Sequence, residues 1–332
     1  MEKISNNLLL YGPPGTGKTY NVVNYAVAII ENRPLDDVIA DGYSGNLEKY
    51  DRYTKMGRIA FMTFHQSLSY DDFIEGIRPE VTEDGSLVYT PTPGVFYKFC
   101  ASAESPVMTD CPNDVGNCVF IIDEINRGNI SRIFGELITL LESSRRKGMP
   151  ECLEVYLAQM KVMFSVPGNV YLLGTMNTAD KSLTALDTAL RRRFEFIEMM
   201  PDPDVLKGRK IADIDLSKLL AVINNRIEML YDREHQMGHA YFISVKTLDD
   251  LAQCFINKVI PLLQEYFFDD YEKMCWVLGR ASDPRKCDFI TIRKRNSFQM
   301  KFNLPDIFDI STDYRVFMNP ESYIQIYKGA DI

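Results

Sequence analysis

Apolar residues along this chain fall into two rhythms. Short runs at residues 8–11, 58–64, 118–122 and 170–173, apolar but for Arg58 and Thr63, read as buried strands of a parallel sheet. Between them, residues 20–30, 94–103 and 130–141 return apolar side chains at helical spacing. In the last of these, Ile130, Ile133, Phe134, Leu137, Ile138 and Leu141 mark one face that packs on the sheet. The alternation predicts an α/β fold, a parallel sheet sandwiched by helices. Residues 31–55 are polar and broken by Pro34, Gly42 and Gly45, which reads as a surface excursion. Phe73, Ile74 and Ile77 supply a short apolar face, and Asp84-Gly85 between β-prone runs predicts a hairpin turn. Residues 104–117, rich in Pro, Asp, Asn and Gly, read as loop, and 152–166 as a second hairpin that projects from the domain.

Beyond Pro201 and Pro203 the pattern changes. Residues 216–230 and 248–263 are helical in period, with Leu251, Phe255, Ile256 and Val259 on one face and Pro261 set to kink or end the second helix. Short apolar runs at 289–292, 314–318 and 323–327 read as a small β appendage. The expected organisation is an α/β nucleotide-binding domain over residues 1–203, a helical lid over 204–280 and the appendage over 281–332.

Composition adds limits. Hydrophobic residues at 46% and charged residues at 25% are ordinary for a soluble globular chain of 332 residues. No run approaches the roughly 18 apolar residues of a membrane span, and residues 1–7 lack the basic and apolar regions of a signal peptide. The expectation is cytosolic residence with no membrane partner. A net charge of −9 argues against coating nucleic acid by bulk charge, while leaving room for a local basic lining. The seven cysteines form no CxxC pair and there are only three histidines. Cys111 and Cys118 with a distant third ligand lack the usual zinc spacing, so reduced structural thiols are the better reading.

Candidate chemistry begins where the first strand ends. Gly12, Pro13, Pro14, Gly15, Thr16, Gly17, Lys18 and Thr19 form a phosphate-binding loop in a strand-to-helix setting. Its glycines let successive N–H groups turn onto phosphate oxygens, Lys18 reaches the β and γ phosphates, and Thr19 can ligate magnesium. The strand 118–122 ends in Asp123-Glu124. Asp123 is placed to hold the magnesium shell through water and Glu124 to polarise the attacking water. A bare acidic pair at a strand end is often a solvated cap; downstream of a phosphate loop the catalytic reading is stronger. Asn177, at the tip of the strand 170–173, is suited to the γ-phosphate or the hydrolytic water. The rival is that Asn177 and Asp180 read a guanine ring as in the NKxD element of small GTPases, and the two geometries exclude each other. Arg191, Arg192 and Arg193 would by default be a solvated charge run. In a ring NTPase they would meet the neighbouring subunit's nucleotide, where a trans arginine neutralises transition-state charge. His239 or Arg233 of the helical region are candidates to touch nucleotide, with capping or packing as the alternative.

This plan of phosphate loop, DE strand, Asn strand tip, arginine cluster and helical lid resembles the AAA+ NTPases. The strings FHQSLSYDDFIEGIRP, FIIDEINRGNISRIFGELITLLE, GTMNTADKSLTALDTALRRRF and GHAYF resemble more closely the McrB family, the motor subunits of McrBC modification-dependent restriction systems. The likeness runs from Leu8 to about Leu263 and, more loosely, into the tail. It implies that Gly12 to Thr19 bind phosphates, that Asp123 and Glu124 serve magnesium and water, that Asn126 assists Glu124, that Asn177 is the sensor, and that Arg191, Arg192 and Arg193 are the inter-subunit cluster. It further implies GTP or ATP with Mg2+, a homo-oligomeric ring, typically a hexamer, and a McrC-like nuclease partner; the best-known members prefer GTP. Lys181 stands where many relatives carry Arg and loses the planar fork. Family members usually place a DNA-binding domain ahead of the motor, whereas here the loop strand starts at Leu8; the expectation is a bare motor, with DNA met through the ring or a separate recognition subunit. A MoxR-like remodeller acting on protein, and a nucleotide-gated scaffold that barely hydrolyses, are the rival readings.

Overall fold

Nine strands occur among the described residues up to Glu198: β1 (Asn7–Gly12), β2 (Ile59–Thr63), a hairpin of β3 (Glu75–Val81) and β4 (Leu87–Pro93), β5 (Cys118–Asp123), a second hairpin of β6 (Val155–Leu157) and β7 (Val162–Phe164), β8 (Val170–Asn177) and β9 (Glu195–Glu198). Outside the two hairpins they form one sheet in the order β2-β5-β8-β1-β9, with β1 on β9, β2 on β5 and β5 on β8 all parallel. The computed structural model describes residues 4–104, 116–180, 188–283, 285–294, 297–302 and 306–330. Cys111 and Lys181 lie outside them, and so does the first part of the helix expected before the arginines.

The chain divides into two compact units, Met1–Tyr11 with Lys18–Glu198, and Gly12–Gly17 with Met199–Ile332. In the first, β5 is buried from Cys118 to Ile122 because both faces of the sheet are covered, the reason its sequence is an unbroken apolar run. Phe73 anchors an aromatic cluster, stacked on Phe96 at 5.1 Å and edge-on to Phe120 and Phe134. α1 (Lys18–Glu31) follows the phosphate loop directly.

Several local expectations change. The polar stretch 31–55 is helical, Leu35–Ala40 and Tyr43–Lys55. Its apolar content is small, but Val38 is fully buried beside Val27 and Ala28, and Asn46 bridges Asn24 and the Val38 carbonyl. The stripe from Ile130 is a helix only to Phe134. Gly135 then takes φ +52°, and a 3-10 segment Gly135–Leu141 continues with Leu137, Leu140 and Leu141 still buried. The hairpin β6–β7 does not stand clear of the domain, since Leu157 and Phe164 enter the main core. The ribbon β3–β4 exposes an apolar face: Ile77, Pro79, Val81, Leu87, Tyr89 and Pro91 pair across it on one side.

In the second unit, α-helix Leu216–Leu230 is capped by the Asp215 carboxylate, and Leu219, Leu220, Ile223 and Ile227 enter a core shared with Leu251, Phe255, Leu263, Phe289, Tyr323 and Ile326. Pro261 does not end its helix. The helical chain changes to a π turn at Phe255–Val259 just ahead of it, and Pro261 occupies the first turn of the α-helical segment Ile260–Phe267 that follows. In the tail, Ile290–Ile292 pairs with Phe308–Ile310 as a two-stranded ribbon, but the remaining two apolar runs are helices, Tyr314–Phe317 and Pro320–Tyr327. Their caps, Asp313 and Asn319, carry the signal that their short apolar runs concealed. Among the described residues no helix is long and apolar enough to cross a membrane.

Candidate active site

The strand ends β5 and β8 bring four predicted polar residues together. Glu124 follows β5 in the left-handed region, φ +52° and ψ +47°, a conformation a non-glycine residue adopts at a cost of about 1–3 kcal/mol. Two contacts hold it there. Its N–H donates to Thr175 Oγ1 at 3.2 Å, and its Oε1 accepts from the Asn177 amide. Thr175 in turn donates to Asp123 Oδ1 at 2.5 Å, so one hydroxyl holds the Asp123 carboxylate and the Glu124 backbone. Asn126 Nδ2 donates to the Asn177 carbonyl at 3.1 Å, tying the turn after Glu124 to the tip of β8.

Arg127 completes this cluster. Its guanidinium lies 3.3 Å from Glu124 Oε2 as an ion pair and donates to Asp180 at 3.0 Å. The Arg127 contact occupies Asp180, the residue that the guanine reading required. Thr175 and Arg127 were not singled out from sequence. Their signal was positional: a hydroxyl two residues before Asn177, and a cation three residues after Glu124.

Lys18, only 7% exposed, sits within the field of the same acids. Burial lowers its pKa to about 8, against the opposing pull of the Glu124, Asp123 and Asp180 carboxylates. Locally, three carboxylates face two cations, Lys18 and Arg127. An entering triphosphate therefore calls for added positive charge. The exposed Thr19 hydroxyl and the Asp123 carboxylate are hard oxygen donors of the kind Mg2+ takes alongside phosphate oxygens and water, so the residues present fit that ion. Glu124 Oε2 is buried against the Arg127 guanidinium, while Asn126 Oδ1 is buried with no hydrogen-bond donor among the described residues, an acceptor suited to a proton of a water molecule.

The phosphate loop is held differently. Gly12, Gly15 and Gly17 have φ of +152°, +76° and +82°. Thr16 Oγ1 turns back onto the Pro13 carbonyl at 3.0 Å. The carbonyls of Pro14 and Gly15 accept the N–H groups of Gly238 and Ala240 at 3.2 and 3.0 Å, and the Tyr241 ring covers Gly15. A Cβ on Gly238 would lie 1.9 Å from the Gly15 carbonyl carbon, so only glycine fits. The GHAYF string thus acts through Gly238, Ala240 and Tyr241. His239 does something else: its Nδ1 accepts the Asp202 N–H at 3.2 Å, and burial, partly offset by the Asp202 carboxylate, lowers its pKa and favours the neutral ring. Arg233 lies in the one-turn helix Arg233–His235 capped by Asp232.

The three arginines separate. Arg193 pairs with Glu142 at 2.9 Å, while Arg191 and Arg192 are exposed, Arg191 over the Phe196 ring. A cavity of about 440 Å³ is lined by Leu8, Tyr25, Leu35 and Glu195 and by none of the predicted site residues.

The family model for an AAA domain of the dynein-related subfamily matches residues 45–194, and that for the alpha-helical lid domain of McrB matches residues 215–275. The type IV methyl-directed restriction enzyme EcoKMcrB subunit of Escherichia coli K12 is 33% identical over 293 residues. The chain is an McrB-like AAA+ protein. That match covers 82% of this chain but 56% of the E. coli relative, so the McrB-like chain spans a little over half of its length. The type II restriction enzyme BsuMI component YdiS of Bacillus subtilis 168 is 27% identical over 291 residues, 81% of each protein. The McrB-like lid match contains the segment Gly238 to Tyr241 that clasps the phosphate loop.

Proposed function

We propose that this protein hydrolyses a nucleoside triphosphate, GTP or ATP, as the motor subunit of a restriction system, working as a ring that drives DNA translocation or activates a nuclease-bearing partner. One observation carries the hydrolytic reading: Glu124 is held in a strained left-handed conformation by Thr175 and Asn177, its carboxylate set between Asn177 and Arg127, with a buried unmet acceptor close by in the chain on Asn126. The Glu124 carboxylate would polarise the attacking water, with Asn126 helping to orient it. Lys18 binds phosphate charge, Thr19 and Asp123 would hold Mg2+, and the ion supplies charge neutralisation on the transferring phosphoryl group when bound. Arg191 or Arg192, both exposed, would supply the trans cation to a neighbour's site. The restriction setting is supported by the two relatives, each named as part of a restriction enzyme.

Turnover of GTP and of ATP by the purified chain, alone and with a nuclease-bearing partner and DNA, tests this. The expected result is weak basal turnover raised by the partner. Stimulation by unfolded protein instead, with no response to DNA or nuclease partner, would move the assignment to the remodelling class. Nucleotide binding without any turnover would leave only a scaffold.

A further inference from the structure

Among the described residues, the largest fully buried side chain is a charged one, Arg146, 1% exposed. Among the described residues it meets no carboxylate. Its guanidinium donates to neutral oxygens: the carbonyls of Leu141 at 3.4 Å, Pro167 at 3.5 Å and Val170, and the side-chain carbonyl of Asn7 at 2.5 Å. A buried guanidinium without a counter-ion is costly, and an apolar side chain of similar volume would usually serve stability as well. What such a residue cannot do is polarise an amide.

Asn7 is that amide. It is 1% exposed and opens β1, the strand whose other end enters the phosphate loop. Its Oδ1 takes the charge-assisted bond from Arg146, and its two amide protons go to the Leu141 and Arg193 carbonyls, each at 2.8 Å. The chain just after Leu141 returns the contact, since Glu142 binds the Arg193 guanidinium at 2.9 Å. The turn bearing Arg191 and Arg192 is thereby pinned twice at Arg193, by its backbone through Asn7 and by its side chain through Glu142. Leu190 and Phe194 on either side are buried, so the exposed arginines project from a fixed base.

We propose that Asn7, polarised by Arg146, is a positioning residue that sets the direction in which Arg191 and Arg192 meet the nucleotide of a neighbouring copy of this chain. The proposal rests on the trans-arginine reading above. It links the root of the phosphate-loop strand to the arginines the same subunit offers its neighbour.

Asn7→Asp separates this role from plain structural support. It removes both amide donors yet gives Arg146 a carboxylate, so the buried charge gains a partner and the fold is retained, which a thermal melt verifies. Nucleotide affinity should stay at the wild-type value while kcat falls about tenfold or more, a fraction of the 10³ to 10⁵ that a trans arginine supplies. Mixed with Glu124→Gln subunits, which cannot turn over but carry intact arginines, Asn7→Asp sites should regain turnover. Glu142→Gln, which loosens only the side-chain pin, should give a smaller loss with the same recovery and serves if Asn7→Asp melts early. Wild-type kcat in Asn7→Asp, or a loss that mixing does not restore, overturns the proposal. A double variant with Arg191→Ala and Arg192→Ala is the reference. If mixing restores it but not Asn7→Asp, Asn7 alone is misassigned; if mixing restores neither, the trans-arginine reading falls and the proposal falls with it.

Discussion

The acids at the strand tips and the phosphate loop serve one proposed reaction but are built on opposite principles. Asp123, Glu124, Thr175, Asn126 and Asn177 hold one another by hydrogen bonds in which side chains take part, and all but Thr175 stand out in the sequence by residue type and position. The loop Gly12 to Gly17 is held through backbone carbonyls and the absence of side chains, with Gly238 pressed against Gly15 because neither carries a Cβ. A polar cluster advertises itself in sequence. A clasp made of glycine and main chain does not, because the groups doing the binding are common to every residue.

Four measurements would break or sharpen that contrast. The largest effect belongs to Glu124→Gln. It keeps the hydrogen-bonding shape but removes the base, so turnover should fall by about 10² to 10⁴ while nucleotide binding survives; undiminished turnover would remove Glu124 from the reaction. Next is Gly238→Ala. Its methyl cannot be accommodated 1.9 Å from Gly15 without moving the loop, and overpacking of about 1–3 kcal/mol predicts roughly a 5- to 150-fold loss of nucleotide affinity in a protein that still melts cooperatively. Wild-type affinity in a folded Gly238→Ala protein would show that the clasp does not shape the loop.

The third is a pH profile. With its pKa lowered to about 8 in the empty site, Lys18 loses its proton above that pH, and phosphate charge restores it. The bound state then holds one more proton than the free state, so affinity should fall as pH rises from about 8, by at most about tenfold per unit. The nucleotide-free chain has the reverse dependence. Its folded pKa lies below the unfolded value of 10.5, so this group adds stability as pH climbs through that interval. Calorimetry at pH 9 in buffers of different ionisation enthalpy should show proton uptake on binding; none would mean Lys18 is not buried as described. The smallest effect is Asp180→Ala. The Arg127–Asp180 pair is close to half exposed, so less than about 1 kcal/mol of stability is at stake, and the ratio of GTP to ATP affinity should not move. A shift in that ratio would revive Asp180 as a reader of the base.

Much of the fold was legible because burial on both faces of a parallel sheet forces unbroken apolar runs, and those at 118–122 and 170–173 lie within β5 and β8. Helix Leu216–Leu230 was legible to the residue, its apolar period being complete. The helices Leu35–Ala40 and Tyr43–Lys55 were not, because Val38, Asn46 and Tyr53 are nearly all they bury and too few to make a period. In the site, Lys18, Asp123, Glu124 and Asn177 were legible because spacing and strand ends predict where such side chains gather. Thr175 and Arg127 were not, since a lone hydroxyl or cation gains meaning only from the neighbour it touches.

Sequence alone determined that a phosphate loop, an acidic strand end, a polar strand tip and an arginine cluster occur in one α/β chain, because each is fixed by residue type at a short spacing. Tertiary structure decided the rest. It assigned Arg193 to Glu142 and left Arg191 and Arg192 exposed, gave Asp180 to Arg127, and placed Gly238 on the phosphate loop. Those outcomes depend on residues 50 to more than 200 positions apart in the chain coming within a few ångströms. Such distances are set by how the core packs, and no local pattern encodes them.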